Sequence, residues 1–483
     1  MSAEGTLQPP VRPGPALRIS LPVTYRSASL VRFLANEAGS AGLLLIAAVI
    51  ALVWANTGPG YEAFWETEVA LRVGDWSLAL DVRHVVNDGA MAIFFLVVGL
   101  EISREVTVGE LRNRRTVIVP ALGAVGGLAL PALIYVAFAP SGPAAAGWGI
   151  PMSTDTAFLI GILALFGPRC PDQLRLFLLT LAIVDDIGAI TVMALFYTPS
   201  VSAPALVVSG VLVLVLLAMR WAGVWRLAPY LLVGLALWAA VFASGVHPTL
   251  AGVLLGLLVP ASPVEPEQGE RLRFYGLALL ERADAVRARR VSAAARASVP
   301  ANDRLQDELH PLSAFVVVPL FGLANAGVVL DGDALLAALH SNVAIGIVVA
   351  LLLGNALGIS VAAGLALRSG WGELPGRVRY GHLIGGAVLA GIGFTISLFI
   401  TDLAFADEQL RQDAKIGVLA GSLLAAVLGS FLLRYLGERL PLCTIDDDEE
   451  LPELPEGDWT DPTLPEPAGA VTPGPGPGAA PPA

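Results

Sequence analysis

Apolar residues come in runs too long and too numerous for a soluble core. Positions 41–55, 117–139 and 343–367 carry no charged side chain at all, and 176–184 forms a further apolar block. A helix needs roughly 20 such residues to cross a hydrocarbon layer. Several candidates of that order make the chain polytopic rather than anchored. Only 14% of the 483 residues are charged and 55% are hydrophobic, whereas a soluble domain carries about 25% charged residues. The mean hydropathy of +0.71 points the same way.

The runs resolve into twelve expected spans, at 38–57, 85–102, 117–138, 149–166, 175–198, 204–219, 228–243, 247–260, 311–330, 342–367, 381–401 and 413–435. The expected fold is therefore an all-α polytopic membrane protein. Arginine and lysine set the orientation, because basic loops stay cytoplasmic. With the N-terminus inside, 25 of the 29 basic residues fall on the cytoplasmic side, among them Arg112, Arg114, Arg115, Arg287, Arg289 and Arg290. Only Arg72, Arg83, Arg411 and Lys415 fall outside. Both termini are expected in the cytoplasm. The two cysteines, Cys170 and Cys443, cannot build a disulfide framework, and the Pro-rich start shows no cleavable signal.

The layout is a cytoplasmic segment at 1–37, a transmembrane domain at 38–440 and a tail at 441–483. The loop at 58–84 contains a β-hairpin pattern at 66–82, in which Val69, Leu71 and Val73 are answered by Trp76, Leu78 and Leu80 around a Gly74-Asp75 turn. Its edge either pairs with a second copy or packs on its own protein. The Arg- and Ala-rich insert at 261–306 has helical character, and suits either anionic lipid or a solvated connector. The stretch 444–483 holds ten acidic residues and no basic ones, so the net charge of −12 is a property of the tail rather than of a ligand. That tail is expected to be disordered.

Asp185 and Asp186 sit between Leu181-Ala182-Ile183-Val184 and Ile187-Gly188-Ala189-Ile190. A charge at mid-bilayer costs about 2.5–3.5 kcal/mol on insertion scales and is retained for function, or to hold a bundle together. Adjacent helix positions point about 100° apart, so the two carboxylates meet different surroundings. Burial disfavours a charged carboxylate, and a second one nearby disfavours it further. A proton and a hard cation then compete for one site, which suffices for coupled exchange. Two spans are interrupted by poor helix formers: the fourth at Pro151-Met152-Ser153-Thr154-Asp155-Thr156 and the eleventh at Gly391-Ile392-Gly393-Phe394-Thr395. Unwound backbone at that depth lines a cavity or is buried in protein, and Asp155 is placed to neutralise positive helix ends. The glycines are equally explained by close helix packing.

Asn87-Asp88, Val98-Gly99-Leu100-Glu101, Thr154-Asp155, Ile183-Val184-Asp185-Asp186-Ile187-Gly188-Ala189-Ile190, Ser244-Gly245-Val246-His247, Leu323-Ala324-Asn325-Ala326-Gly327 and Gly391-Ile392-Gly393-Phe394-Thr395 follow one another in an order that closely resembles the NhaA-type sodium/proton antiporters. The resemblance covers roughly residues 30–440 without the insert. It implies twelve helices with inverted repeats, an architecture for which this family is a standard example. It further implies discontinuous fourth and eleventh spans that cross near the midplane. Asp186 matches the carboxylate that binds Na⁺ or Li⁺ and carries a proton, and Asp185 its gating neighbour, with Thr154 near the ion. Thr154, Asp155, Asn355, Gly391, Gly393 and Thr395 fall at the crossing. Glu101, Arg104, Glu105, His247 and His310 match positions linked to pH response, although a structural role for His247 at a helix start is equally open. The hairpin matches the element that joins two protomers. The implied protein is a multi-pass inner-membrane antiporter for sodium and pH homeostasis. Its partners are Na⁺, H⁺, the bilayer and a second copy; no cofactor, enzyme activity or nucleic acid is expected.

The family's tenth span carries a lysine in a Gly-Lys-Pro-Leu-Gly context, where this chain reads Gly354-Asn355-Ala356-Leu357-Gly358. Lys415 is the only lysine in the sequence and is expected at a membrane edge. Asn355 donates hydrogen bonds without charge, so Asp185 loses its usual counter-ion, and exchange is either electroneutral, at one proton per ion, or still electrogenic with both aspartates cycling protons. A Glu-His pair before the ninth span is replaced by Gln306-Asp307, which implies an altered pH profile. A sodium-coupled solute symporter and a non-transporting sensor remain the alternatives. Nucleotide-loop and channel-filter motifs are absent from the sequence.

Overall fold

The computed structural model describes residues 37–439, apart from 74–75, 110–113, 167–171, 199–201, 262–265 and 373–379. The segment 1–36, the acidic tail, Arg112 and the Gly74-Asp75 turn lie outside the described residues.

The chain is almost entirely helical. After α1 (Glu37–Thr57) comes a short α2 (Gly60–Trp65), whose Tyr61 and Trp65 are buried against Trp54 of α1. Strands β1 (Glu68–Val73) and β2 (Trp76–Asp81) pair antiparallel from Glu68↔Asp81 to Val73↔Trp76. Helix α3 (Val82–Thr107) begins on an Asp81 cap and carries a π-helical turn at Val85–Ala90. Then follow α4 (Arg114–Phe138), a 3-10 segment at Pro143–Met152, α5 (Thr156–Phe166) and α6 (Asp172–Phe196). Helices α7 (Ala203–Trp221), α8 (Leu227–Ser244) and the short α9 (Thr249–Leu258) come next. The insert folds as α10 (Pro266–Glu281) and α11 (Ala285–Ala297).

The ninth expected span starts ten residues early. α12 (Ala301–Asn325) carries a π turn at Ser313–Val317 and stops at Asn325, so 326–331 are not helical. The last part is α13 (Gly332–His340), α14 (Asn342–Arg368), α15 (Tyr380–Leu389), α16 (Phe394–Ala404) and α17 (Glu408–Arg439).

Among the described residues, nine helices are long and apolar enough to cross a membrane: α1, α3, α4, α6, α7, α8, α12, α14 and α17. The pair α15 and α16, bent by 46° at the break, makes a tenth when counted as one broken span. The other two expected spans are the ten-residue α9 and the 3-10 segment followed by α5, each too short by itself. The protein is thus an all-α polytopic membrane protein. Outward faces of α7 and α8 expose Val207, Leu214, Leu232 and Leu235, as lipid contact requires.

Helix contacts in lipid rely on close packing of small residues rather than on an apolar driving force. The α4–α14 pair shows this: a Cβ on Gly126 would come within 2.2 Å of the Gly358 carbonyl, and a Cβ on Gly358 within 2.2 Å of the Gly126 carbonyl. One continuous core joins α1, α3, α4, α6, α12, α14 and α15–α17, and a second smaller one joins α7, α8 and α9 to α3.

Candidate functional site

The two stretches expected to interrupt the fourth and eleventh spans meet. Ser153-Thr154-Asp155 is extended between the 3-10 segment and α5, and Ala390-Gly391-Ile392-Gly393 separates α15 from α16. Helix ends leave backbone groups without partners, and here each break supplies the other. The Asp155 amide donates to the Ile392 carbonyl, and the Thr154 hydroxyl donates to the Ala390 carbonyl at 2.9 Å. The Ser397 hydroxyl donates to Ile150 O at 2.6 Å. In return, the Asp155 carboxylate accepts from Phe158 N at 3.1 Å, from Thr395 N at 2.8 Å and from the Thr395 hydroxyl. One buried carboxylate therefore caps the starts of both α5 and α16, where the helix dipoles favour negative charge.

Asn355 follows directly on a π-helical turn at Ala350–Gly354 in α14 and is fully buried. Its Nδ2 donates to Pro151 O at 3.4 Å and Leu351 O at 3.3 Å. An uncharged amide thus meets the carbonyl end of the 3-10 segment. Gly391 and Gly393 are explained by space: a Cβ on Gly391 would lie 2.3 Å from Leu351 O, and one on Gly393 2.8 Å from Ser153 O. The close-packing account of these glycines therefore stands beside any functional one.

The Asp185–Asp186 pair lies on α6 beside this crossing, both residues buried, and they diverge as the helical repeat requires. Asp185 Oδ2 accepts the Thr154 backbone N–H at 2.6 Å. Asp186 turns instead into a cavity of about 190 Å³. Its Oδ2 is 3.5 Å from the Thr156 hydroxyl, and its buried Oδ1 has no hydrogen-bond partner among the described residues. Glu101, Thr154, Asp155, Thr395 and His310 also line this cavity, whereas Asp185 does not. Among the described residues no arginine or lysine lines it.

His310 also borders a wider hollow of about 610 Å³ with Arg104, Asp303, Arg304 and Asp307, so the cavity continues towards the ends of α3 and α12. Arg104 stands 3.6 Å from Asp303 across that hollow. Glu105 is on the same last turn of α3. His247 is elsewhere: its Nε2 is 2.8 Å from Tyr197 O, at the end of α6, and it lines neither space. That contact favours the structural account of His247. Among the described residues there is no group of three or more His, Cys, Asp or Glu side chains placed to hold a metal.

Two features escape a sequence reading. Lys415, near the start of α17, is buried rather than solvated and pairs with Asp402 of α16 at 2.9 Å. Asn87 and Asn325 exchange amide hydrogen bonds of 3.2 and 2.8 Å between α3 and α12. Their place in recognisable motifs was the only signal for the second pair, and nothing in the sequence pointed to the first.

The family described as Na+/H+ antiporter 1 matches residues 31–433. Na(+)/H(+) antiporter NhaA 3 of Frankia alni is 62% identical over 95% of this chain and 99% of its own length. Na(+)/H(+) antiporter NhaA of Janthinobacterium sp. is 41% identical over 88% of this chain and 96% of its own. A Mycobacterium sp. relative, NhaA 1, is 43% identical over 83% of this chain, which spans 65% of that longer protein. The solved sodium proton antiporter MjNhaP1 of Methanocaldococcus jannaschii aligns at 15% identity and a TM-score of 0.44 over 85% of this chain and 97% of that one, too distant to inform the site. With a family match along most of its length and a 62% identical relative covered end to end, the chain belongs to the Na+/H+ antiporter 1 family.

Proposed function

We propose that the protein exchanges Na⁺ or Li⁺ for H⁺ across the bacterial inner membrane by alternating access, in the service of sodium and pH homeostasis. The observation that carries this is the buried Asp186 oxygen, without a partner among the described residues, facing a cavity that they line with two further acids and no basic residue but His310. A carboxylate so placed must be neutralised by a proton or by a hard cation, which oxygen ligands suit. Binding one displaces the other. Thr154, Thr156 and Asp155 add oxygen-bearing side chains to the cavity wall. The relatives' shared description as Na(+)/H(+) antiporters supports the same exchange. At about 190 Å³ the cavity is smaller than the roughly 300–1,000 Å³ of small-molecule sites, which counts against a sodium-coupled solute symporter.

The finer reading is a twelve-span inverted repeat, with the segments around 149–166 and 381–401 as the discontinuous crossing helices. Its support is the reciprocal capping of the two breaks. The asymmetric Arg and Lys distribution supports cytoplasmic termini, and hence an opening of the Asp186 cavity towards the cytoplasm. Glu101, Arg104, Glu105 and His310 cluster at its mouth and are assigned the pH response; His247 is at most an indirect contributor. The paired strands at 68–81 are the proposed extracytoplasmic dimer contact. Asp185 accepts a backbone N–H instead of pairing with a lysine, and Asn355 is neutral. One ion is therefore exchanged for one proton at Asp186, without net charge movement.

The test is Na⁺-driven collapse of a pH gradient in proteoliposomes. The parent protein is expected to collapse it and Asp186→Asn to leave it standing. Undiminished Na⁺-driven proton movement in Asp186→Asn would remove the basis of the proposal.

A further inference from the structure

The surface that faces lipid is not even. Between α1, α5 and α17 it is indented by a cavity of about 500 Å³. Leu45 and Val49 of α1 and Leu423 of α17 stand at its mouth, each half or more exposed. Its inner wall reaches the α15–α16 break, where Ile392 and Phe394, on either side of Gly393, are buried. Phe158 of α5 also lines it and meets the Phe394 ring edge-on at 5.3 Å. The Ile392 carbonyl accepts the Asp155 amide, and the Phe158 amide donates to the Asp155 carboxylate. The cavity thus lies directly behind the two breaks. Among the described residues it shares no lining side chain with the Asp186 cavity.

Its depth follows from the spans. Ala48 is midway along the span Gly39–Thr57, and Ser422 midway along Glu408–Tyr435. Both line the cavity, which therefore lies at the level of the hydrocarbon. Small residues in membrane helices ordinarily bring backbones together. Here Gly42 and Ala48 of α1, Gly161 of α5 and Ala426 of α17 leave space instead. Among the described residues Ser422 is the one polar side chain on the wall, and its buried hydroxyl has no hydrogen-bond partner among them. A single hydroxyl does not hold water, which needs two to four polar partners. Apolar cavities of roughly 150 Å³ stay dry and take up benzene; this one is larger and opens towards lipid. Walls without a filler would forfeit dispersion contacts, and the filler that the bilayer supplies in bulk is the acyl chain.

We propose that the cavity is a binding slot for one acyl chain of a bilayer lipid, entered sideways between α1 and α17 and ending against Ile392 and Phe394. The slot continues the lipid-facing surface inwards, so the chain needs no path through protein. It makes hydrocarbon part of the packing behind the breaks. The inference rests on the membrane embedding of these helices and not on which ions are exchanged.

The test is photolabelling in vesicles of phosphatidylethanolamine and phosphatidylglycerol, with a small fraction of phosphatidylethanolamine carrying a diazirine at the end of one chain. Adducts are mapped by mass spectrometry after irradiation. They are expected on Phe158, Ile392 or Phe394, and also on Val207 and Leu214 of α7, exposed positions that any surrounding lipid reaches. Ala426→Phe and Val49→Trp plug the slot from α17 and from α1. Each is expected to cut the inner labelling by about tenfold or more, since the added ring takes up the volume of the chain. Labelling of α7 is expected to stay at the parental level, which also reports a folded, inserted protein. Ser422→Ala removes the one polar group and is expected to keep inner labelling at or above that of the parent. Inner adducts missing from the parent while α7 is labelled would overturn the slot. Parental inner labelling in either plugged variant with intact α7 labelling would do the same. Loss of inner labelling in Ser422→Ala would show an occupant held by a polar group and overturn the assignment to hydrocarbon.

Discussion

Asp155 holds the two breaks together, and replacing it in graded steps measures how much. Its Oδ1 accepts Phe158 N at 3.1 Å, and its Oδ2 accepts Thr395 N at 2.8 Å together with the Thr395 hydroxyl. Asparagine preserves the shape but has a single acceptor oxygen. Directing that oxygen to Thr395 keeps two donors satisfied and leaves the amide NH₂ against Phe158 N–H. The loss is then one hydrogen bond to a charged acceptor, about 1.5–3 kcal/mol, plus the charge at two helix N-termini, about 0.3–1 kcal/mol each. Relief of the cost of burying a carboxylate offsets part of this, so Asp155→Asn is expected to destabilise by about 2 kcal/mol.

Alanine satisfies none of the three donors. At about 1–3 kcal/mol for each buried group left unpaired, Asp155→Ala is expected to cost about 4–6 kcal/mol, comparable with the whole stability of many folded proteins, about 5–15 kcal/mol. Thermal unfolding in detergent should order the proteins parent, asparagine, alanine. Combining each with Thr395→Val should give losses well short of additive, since both changes remove the same bond. Parental stability in both Asp155 variants would refute the account of the crossing.

Other consequences can be checked more directly. Asn355→Lys places an ammonium where a neutral amide now meets Pro151 O; liposome transport by the parent is expected to ignore an imposed membrane potential, and the variant to respond to it. Strong voltage dependence in the parent would sink the one-for-one stoichiometry. Gly391→Ala drives a methyl to 2.3 Å from Leu351 O, and unfolding measurements should show a loss of about 1–3 kcal/mol, as for other overpacked positions. Tyr61, outside the membrane-spanning helices, has its phenol pushed up to about 12, chiefly by burial, with Arg83 opposing. The stability this represents is complete below pH 10 and is lost as pH rises towards 12. Tyr61→Phe, though weaker overall because it loses the bonds to Leu323 O and Gly327 N, should show a shallower alkaline decline.

Most of the fold was legible because lipid imposes a simple rule: apolar runs of sufficient length become helices. The rule weakens where short segments need covering. It sets α12 ten residues late, because the amphipathic start at 301–310 borders a polar hollow rather than lipid. The candidate pair Asp185–Asp186 was legible for the converse reason, as charges where none is cheap. Their division of labour was not. The helical repeat separates them by about 100°, but only tertiary packing decides that Asp185 meets the Thr154 N–H while Asp186 meets the cavity. Asp402 and Lys415 illustrate the limit. Each stands near a span end, where a solvated charge is unremarkable, and only the return of α17 against α16 buries them together.

The stitching of the two interruptions has a mechanical consequence. An unwound segment inside a helix is ordinarily the place where a molecule bends. Here the unwound residues are cross-linked: Asp155 binds Thr395 and the Ile392 carbonyl, and Thr154 binds the Ala390 carbonyl and Asp185. Bending at either break would tear several bonds at once. On the proposed function, the crossing is therefore expected to move as a stiff unit rather than to flex at its breaks, with compliance left to its perimeter. In the proposed exchange, a stiff carrier with a soft rim is expected to present the ion to each side of the membrane without changing the seat itself.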